Sequence, residues 1–402
     1  MNDSTSHKIR VRRVFYIPGY DPIHPRRYRE LYRSEGAMQA EISDYSIDLS
    51  PKTEKTGPYG WHVEARIDGQ PVTADFEVLV WSDIVRDSME NGVLATYLQL
   101  LRTAWIYITS GALRRLMRLR KGPVIAALYP IFFLLAQLMI ALMIAYGIGR
   151  VLAFAHPWLA WLGLGVVPPV LEWFRKKDGK FFAYYLMHDY AYSARFKGAN
   201  PPELEGRMAE FSDLIAAALA SDVDEVLVVG HSSGAHLAVS VLADLIRDGR
   251  VPENGPALSF LSLGQVVPMV SFLPNATRLR VDLRYLSQRT ELSWVDVTAP
   301  GDGCAFALCD PVTVSGQETT EKRWPLVFSA AFTQTLSEAR WKELRWRFFR
   351  LHFQYMCAFD RPKDYDYFQI TAGPMTLGAR YKDRVPSMSR IDVSVSKYTS
   401  VN

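Results

Sequence analysis

A serine between two glycines is the strongest candidate for a nucleophile in this chain. The segment Gly230-His231-Ser232-Ser233-Gly234 follows a β-rich run at 225–229, and residues at helical spacing follow over 235–246. The order is therefore strand, GxSxG, helix. Such a turn is too tight for side chains at its ends, and it lifts the serine hydroxyl toward the N-terminus of the next helix. The pattern predicts Ser232 as a nucleophile; an ordinary glycine-flanked turn is the alternative.

This arrangement resembles the α/β-hydrolase superfamily. The resemblance is most specific over residues 223–246 and looser over 11–83 and 201–357. It implies a mostly parallel sheet with helices on both faces, and hydrolysis of an ester through an acyl-enzyme on the serine.

The resemblance also implies a second oxyanion donor from the loop after an early strand, which in this chain is 17–21. Pro18-Gly19 departs from the His-Gly pair that many relatives have there, but the backbone N–H is the group that matters. We expect the amides of Tyr20 and Ser233 to form the oxyanion hole. A plain strand-ending turn is the alternative for this loop.

A serine hydroxyl needs a base, and the resemblance implies the chain order serine, acid, histidine. Among eight histidines, His352 alone follows the second half of the expected sheet. His231 and His236 lie too near Ser232 in the chain to approach it as a base. His352 is therefore the expected base, although the aromatic segment 348–355 would also suit a helix with a buried histidine.

The expected acid lies at the end of a later strand. Residues 292–298 are typical of a strand, and 299–303 of the loop at its carboxyl end. The resemblance implies a carboxylate in this place, so Asp302 is the expected partner of the base. Asp310, before a proline, and Asp296, inside the strand, are the alternatives.

The elements around this site predict an α/β fold. Strands are expected at 11–17, 62–67, 76–81, 225–229, 258–263 and 292–298, and helices at 26–42, 91–121, 181–196, 203–220 and 235–246. Alternation of strands with helices favours a largely parallel sheet.

Two long uncharged runs, 122–149 and 151–171, lie in the middle of the chain. A membrane-spanning helix needs roughly 20 apolar residues, and both runs reach that length. Because little more than Arg150 separates them, we expect an antiparallel transmembrane hairpin. Pro130 and the prolines at 168–169 leave a re-entrant hairpin open. A buried helical pair in a soluble core is a further alternative.

Charges beside these runs predict their orientation. Basic residues flank the outer ends: Arg114, Arg115, Arg118, Arg120, Lys121, Arg175, Lys176, Lys177 and Lys180. Aromatic residues suited to the membrane interface are Trp158, Trp161 and Trp173. By the positive-inside rule both termini and the catalytic domain face the cytoplasm, as in a bacterial inner-membrane protein.

Composition limits the other functions. The net charge is only +4, and the basic residues cluster beside the apolar runs, so a nucleic-acid surface is disfavoured. Cys304, Cys309 and Cys357 fit no zinc spacing, and no metal-ligand cluster or phosphate loop is evident in the sequence. We therefore expect no cofactor and no metal. Residues 1–13 lack the apolar stretch of a secretory signal.

Together these observations predict a discontinuous α/β-hydrolase core, 1–90 and 200–402, interrupted by an inserted membrane region, 91–199. The expected function is a membrane-anchored serine hydrolase that cleaves a carboxylic ester, from a lipid or another membrane-derived substrate. An acyltransferase or thioesterase with the same triad is one alternative. A non-enzymatic membrane adaptor on the same fold is the other.

Overall fold

The computed structural model describes residues 8–21, 24–52, 56–81, 83–84, 92–178 and 183–401, without the side chains of 185 and 189. The expected boundary between core and inserted region, at 90/91, lies outside the described residues. So does Lys180, one of the basic residues expected to flank the membrane region.

An eight-stranded sheet forms the centre of the protein. Its strands are β1 Val11–Ile17, β2 Ser46–Pro51, β3 Gly60–Ile67, β4 Gln70–Val78, β5 Glu225–His231, β6 Ala257–Leu263, β7 Leu292–Thr298 and β8 Leu326–Ser329. The order across the sheet is β2-β3-β4-β1-β5-β6-β7-β8. The pairs β2/β3 and β3/β4 are antiparallel, and the other neighbours are parallel. The expected α/β class with a mostly parallel sheet is confirmed.

Central strand β1 shows why the sheet is covered on both faces. Val14 and Tyr16 contribute to one apolar core, and Phe15 and Ile17 to the other, as successive side chains of a strand point to opposite faces. Strand β5 is buried at all seven residues, as expected of a parallel strand between two helical layers. The carboxyl ends of β1, β5, β6 and β7 therefore meet at one edge.

The helices of the first half are α1 Arg26–Ser43, α2 Val93–Thr109, α3 Ala112–Leu119, α4 Lys121–Leu152, α5 Val167–Lys176 and α6 Ala183–Arg195. The later ones are α7 Pro202–Leu219, α8 Gly234–Arg247, α9 Val267–Ser271, α10 Thr277–Leu286, α11 Pro311–Val314, α12 Phe332–Thr335, α13 Glu338–Leu344, α14 Phe348–His352, α15 Tyr367–Ala372 and α16 Leu377–Arg380. Two 3₁₀ helices are Pro157–Val166 and Gln354–Met356. The helix expected over 91–121 is instead α2 and α3, separated where Gly111 adopts a φ of 74°.

Helix α4 contains the first apolar run and most of the expected connection. Among the described residues it is the one helix that is long and apolar enough to cross a membrane, with 32 residues and a hydropathy of 2.4. At 1.5 Å per residue it is about 48 Å long, against roughly 30 Å for the hydrocarbon core of a bilayer. Only 22% of its most apolar window is buried within the protein.

The second apolar run does not form the expected second spanning helix. After the turn that follows α4, residues 157–166 form a 3₁₀ helix, and α5 begins only at Val167. Pro157 starts the 3₁₀ segment, and the prolines at 168–169 occupy the first turn of α5, where a missing N–H costs no hydrogen bond. Three prolines and two glycines within the 13 residues 157–169 explain why one continuous helix does not form.

The returning segment nevertheless packs closely against α4. A Cβ atom at Gly163 would lie 2.3 Å from the carbonyl oxygen of Ala145, and one at Gly149 would lie 2.6 Å from that of Ala160. Ala141, Ala145 and Gly149 are buried at four-residue spacing on α4. Small residues at this spacing let two backbones touch, as in packed transmembrane helices.

Helix α2 carries an apolar stripe that the sequence reasoning did not identify. Its exposed large side chains recur every three or four residues: Leu94, Leu98, Leu101, Trp105 and Ile108. The opposite side of α2 is buried, at Leu100, Ile106 and Tyr107 among others. Exposed apolar area therefore extends beyond α4 onto a second helix.

Candidate active site

Ser232 lies at the carboxyl end of β5 in a strained conformation. Its φ is 56°, in the left-handed region that residues with a Cβ rarely adopt. Its N–H donates a 2.9 Å hydrogen bond to the carbonyl of Leu263, at the end of neighbouring strand β6. Helix α8 begins two residues later. This is the strand-turn-helix geometry in which a serine side chain is raised above the sheet edge.

Close approaches explain the glycines around Ser232. A Cβ at Gly230 would lie 2.8 Å from Cα of Ala235, and one at Gly234 would lie 2.1 Å from the carbonyl oxygen of Ile17. A Cβ at Gly19 would lie 2.9 Å from Cβ of Ser232 itself. The glycines expected to form the elbow are thus sterically required, and the 17–21 loop lies directly against the serine.

His352 and Asp302 form a buried pair at the same sheet edge. Nδ1 of His352 lies 2.7 Å from Oδ2 of Asp302, and both residues are buried. The carboxylate is held from its other oxygen, because the amide of Cys304 donates to Oδ1 at 2.8 Å. This hydrogen bond fixes the imidazole with Nδ1 toward the acid and Nε2 away from it.

Tyr355 is a member of this cluster that the sequence reasoning missed. Its phenol donates to Oδ2 of Asp302 at 2.9 Å and accepts a 3.0 Å hydrogen bond from the amide of Ala299. Burial, and then the Asp302 charge, raise the pKa of Tyr355 well above its ordinary value, so the phenol keeps its proton. Its position three residues after His352 in an aromatic segment was the available signal.

His231 is a second missed neighbour of the base. Its Nε2 lies 3.0 Å from the carbonyl oxygen of His352, and the two rings are 4.7 Å apart. Burial is the main cause that lowers the pKa of His231 well below its ordinary value, and the neighbouring ring of His352 adds to it. A neutral His231 donates its Nε2 proton to that carbonyl, which helps to fix the backbone that carries the base.

Ser232 and His352 line one cavity of about 480 Å³. Nε2 of His352 is buried and has no hydrogen-bond partner within the described part of the chain, so no hydrogen bond joins it to Oγ of Ser232 in this structure. A buried ring nitrogen without a partner is costly unless a substrate or a nucleophile engages it. The cavity size falls within the range of small-molecule sites.

One of the two expected oxyanion donors, the amide of Tyr20, already has a hydrogen-bond partner. Ser233 occupies the N-cap position of helix α8, without a capping hydrogen bond from its side chain, and lines the cavity with Tyr20. The amide of Tyr20, however, donates a 2.8 Å hydrogen bond to Oγ of Ser233. An oxyanion can receive this N–H fully only after the Ser233 hydroxyl has turned away. Sequence could not reveal this contact, because it joins residues 213 positions apart.

The two alternative acids have other partners. Asp310 caps α11 by accepting from the amides of Val312 and Thr313, and Nζ of Lys322 lies 2.5 Å from its Oδ2. Asp296 is buried within β7, where the hydroxyl of Ser262 donates to it at 2.5 Å. Neither carboxylate is hydrogen-bonded to His352, so the geometry favours Asp302 as its partner.

Cys304 brings a thiol to the same cluster. A carboxylate oxygen of Asp302, Sγ of Cys304 and a ring nitrogen of His352 all lie within 4.8 Å of one another. Cys304 also lines the cavity. Burial, and then the Asp302 charge, raise the pKa of the Cys304 thiol well above its ordinary value, so it is a neutral thiol at neutral pH.

Comparison with known proteins found no matching protein-family model, no matching curated protein and no matching solved structure.

Proposed function

We propose that this protein is a membrane-anchored serine hydrolase that cleaves a carboxylic ester. The observation that carries the proposal is that Ser232, with its left-handed backbone, and the unpartnered Nε2 of His352 line one cavity, while Asp302 holds the other ring nitrogen of His352. A turn or a histidine with only a structural role would not need this combination of features.

In this proposal, Oγ of Ser232 attacks the ester carbonyl carbon while Nε2 of His352 takes the hydroxyl proton. The C–O bond to the leaving alcohol breaks, and His352 returns the proton to that oxygen. Asp302 stabilises the imidazolium, and backbone amides at Tyr20 and Ser233 stabilise the oxyanion. Water then attacks the acyl-enzyme by the same proton transfers and releases the acid.

The walls of the cavity support a lipid-derived substrate. One side is formed by the segment between β4 and β5, including Tyr107, Pro123, Ala126 and Leu186. Pro123 and Ala126 belong to the first turns of α4, the helix with the length and hydropathy of a membrane span. A substrate embedded in the bilayer would therefore reach Ser232 along the base of this helix. The exposed apolar stripe of α2 adds to the area suited to lipid.

Covalent labelling tests the proposal. A fluorophosphonate probe should form one adduct on Ser232 in the full-length protein in detergent micelles, identified by peptide mass spectrometry. Ser232→Ala should abolish both labelling and the hydrolysis of a short p-nitrophenyl ester. Ser193→Ala is the matched control, because Ser193 lines the same cavity but lies on α6 rather than at the elbow. Labelling that survives Ser232→Ala would refute the assignment of the nucleophile.

A further inference from the structure

The thiol of Cys304 takes part in no step of the proposed hydrolysis. The sequence positions 302, 304 and 352 carry no zinc-binding pattern. The fold nevertheless brings one oxygen, one sulfur and one nitrogen ligand atom to within 4.8 Å of one another. We propose that Asp302, Cys304 and His352 form an inhibitory site for a thiophilic divalent cation, with Zn²⁺ as the best-fitting ion.

The kind of ligand selects the kind of metal. Thiolate and imidazole favour Zn²⁺ and its soft analogues, whereas Mg²⁺ and Ca²⁺ require a shell of oxygen atoms. A tetrahedral zinc site with bonds of about 2.0–2.3 Å places its ligand atoms about 3.5 Å apart. The ligand atoms here lie within 4.8 Å of one another, so metal binding requires the widest separation to close by roughly 1 Å. Three protein ligands leave a fourth position open.

A second observation points to a ligand at this place. Nε2 of His352 is buried and has no partner within the described residues, and the side chain faces the cavity that Cys304 also lines. Water and ions can reach the cluster through that cavity, whereas Cys309 and Cys357 are buried away from the cavity lining. Metal binding at Cys304 forms a metal–sulfur bond and releases the thiol proton to solvent.

Occupation of this site would stop hydrolysis whichever ring nitrogen binds the metal. Coordination through Nε2 takes the lone pair that must accept the Ser232 proton. Coordination through Nδ1 breaks the hydrogen bond to Asp302 and leaves the imidazole proton on Nε2, where it can no longer act as a base. The binding part of this inference is independent of the enzymatic proposal, and the inhibitory part rests on it.

Cobalt spectroscopy tests binding without relying on activity. Co²⁺ added to full-length protein purified without a histidine tag should give visible bands of a tetrahedral centre and a near-ultraviolet thiolate charge-transfer band, at one ion per chain. Zn²⁺ should displace it. Cys304→Ser should abolish the charge-transfer band and weaken binding at least about 10-fold, the low end of losses seen for perturbed metal sites. Cys304→Ala serves if the serine variant does not fold. Cys309→Ser is the matched control and should keep the band.

The proposed metal site would be contradicted if the wild type showed no charge-transfer band. It would also be contradicted if Cys309→Ser lost the band or Cys304→Ser kept it. The inhibitory part is tested by the rate at which the fluorophosphonate probe labels Ser232. Zn²⁺ should slow labelling at least about 10-fold in the wild type, reversibly with EDTA, but not in Cys304→Ser. Cobalt binding with unchanged labelling would overturn inhibition. If the metal-free protein is not labelled at all, the proposed hydrolase is refuted. The metal site is then judged by the cobalt spectra alone.

Discussion

The phenol of Tyr355 and the base His352 contact the same carboxylate oxygen of Asp302, at 2.9 Å and 2.7 Å. Tyr355 also accepts the amide hydrogen of Ala299, the residue directly after β7. The tyrosine therefore ties the acid to the sheet. It acts on the base through Asp302, as a positioning residue.

Tyr355→Phe should lower kcat about 10-fold with little change in KM, because a charged hydrogen bond worth about 1.5–3 kcal/mol is lost and Asp302 is less firmly oriented. The Ala299 amide also loses its partner, so the unfolding midpoint should fall. Steady-state kinetics on a p-nitrophenyl ester and thermal unfolding measure the two effects. A Phe variant that is destabilised but has unchanged kcat would limit Tyr355 to a structural role.

Asp302→Asn should reduce kcat by a factor on the order of 10⁴, since an asparagine stabilises the wrong imidazole tautomer. Asp310→Asn is the comparison, because Asp310 caps α11 and pairs with Lys322. It should lose stability through its broken ion pair with Lys322, since asparagine can still cap the helix, and it should keep its activity. His352→Ala should lose as much activity as Ser232→Ala, because triad members act as a unit. The reverse ranking of the two aspartates would make Asp310 the acid.

Burial of Asp296 predicts a loss of stability at high pH. Desolvation raises its pKa to about 8, so the folded protein keeps this proton when the unfolded chain has lost it above about pH 4. The contribution of Asp296 to stability is thus complete below about pH 4, falls between pH 4 and pH 8 with a slope of up to about 1.4 kcal/mol per pH unit, and levels off above pH 8. Asp296→Asn should remove this dependence.

Unfolding midpoints at pH 6 and pH 9 measure this effect. The wild type should lose more stability between the two values than Asp296→Asn. Asp248→Asn, an exposed change at the end of α8, should behave like the wild type. Equal losses of stability in the wild type and in Asp296→Asn would show that other groups control the fall in stability between pH 6 and pH 9.

Contact between α4 and the returning segment should depend on Gly163. Gly163→Ala places a methyl group 2.3 Å from a backbone oxygen of Ala145, so the two segments must separate. We expect a loss of about 1–3 kcal/mol, as for other overpacked sites. Gly165→Ala, two residues away, meets nothing within 4 Å and should be tolerated. Thermal aggregation of the micelle-solubilised variants measures the difference. Equal tolerance of both would mean that the segments do not pack as described.

Membrane insertion makes a prediction about accessibility. Phe154 lies in the turn after α4 and is 89% exposed. In sealed inverted and right-side-out vesicles, Phe154→Cys should react with an impermeant thiol reagent only from the non-cytoplasmic side. Lys177→Cys should react only from the cytoplasmic side. The protein should resist extraction by high salt, because salt screens charges but not apolar contacts.

Release by salt alone would rule out the anchor. Protection of position 154 from both sides would indicate a re-entrant segment, consistent with a second arm that is a 3₁₀ helix followed by the short α5.

Sequence alone predicted the features that local patterns control. Strands 11–17 and 292–298 have the predicted bounds, and helix α8 begins one residue before its predicted start. Apolar runs and glycines act over a few residues, so their effects can be read directly from the chain. Antiparallel strand β2 escaped prediction because its side chains are half exposed and mostly polar.

Only the tertiary structure decided which distant groups meet. Asp302 rather than Asp310 contacts His352. The Ser233 hydroxyl accepts a hydrogen bond from the Tyr20 amide, and Cys304 lies next to Asp302 and His352. Each contact depends on how loops at the ends of β1, β5 and β7 pack against one another. The second apolar run also does not form one long helix, because of its prolines and its close contact with α4. Local propensity does not encode such long-range packing, because burial and backbone contact across the fold determine it.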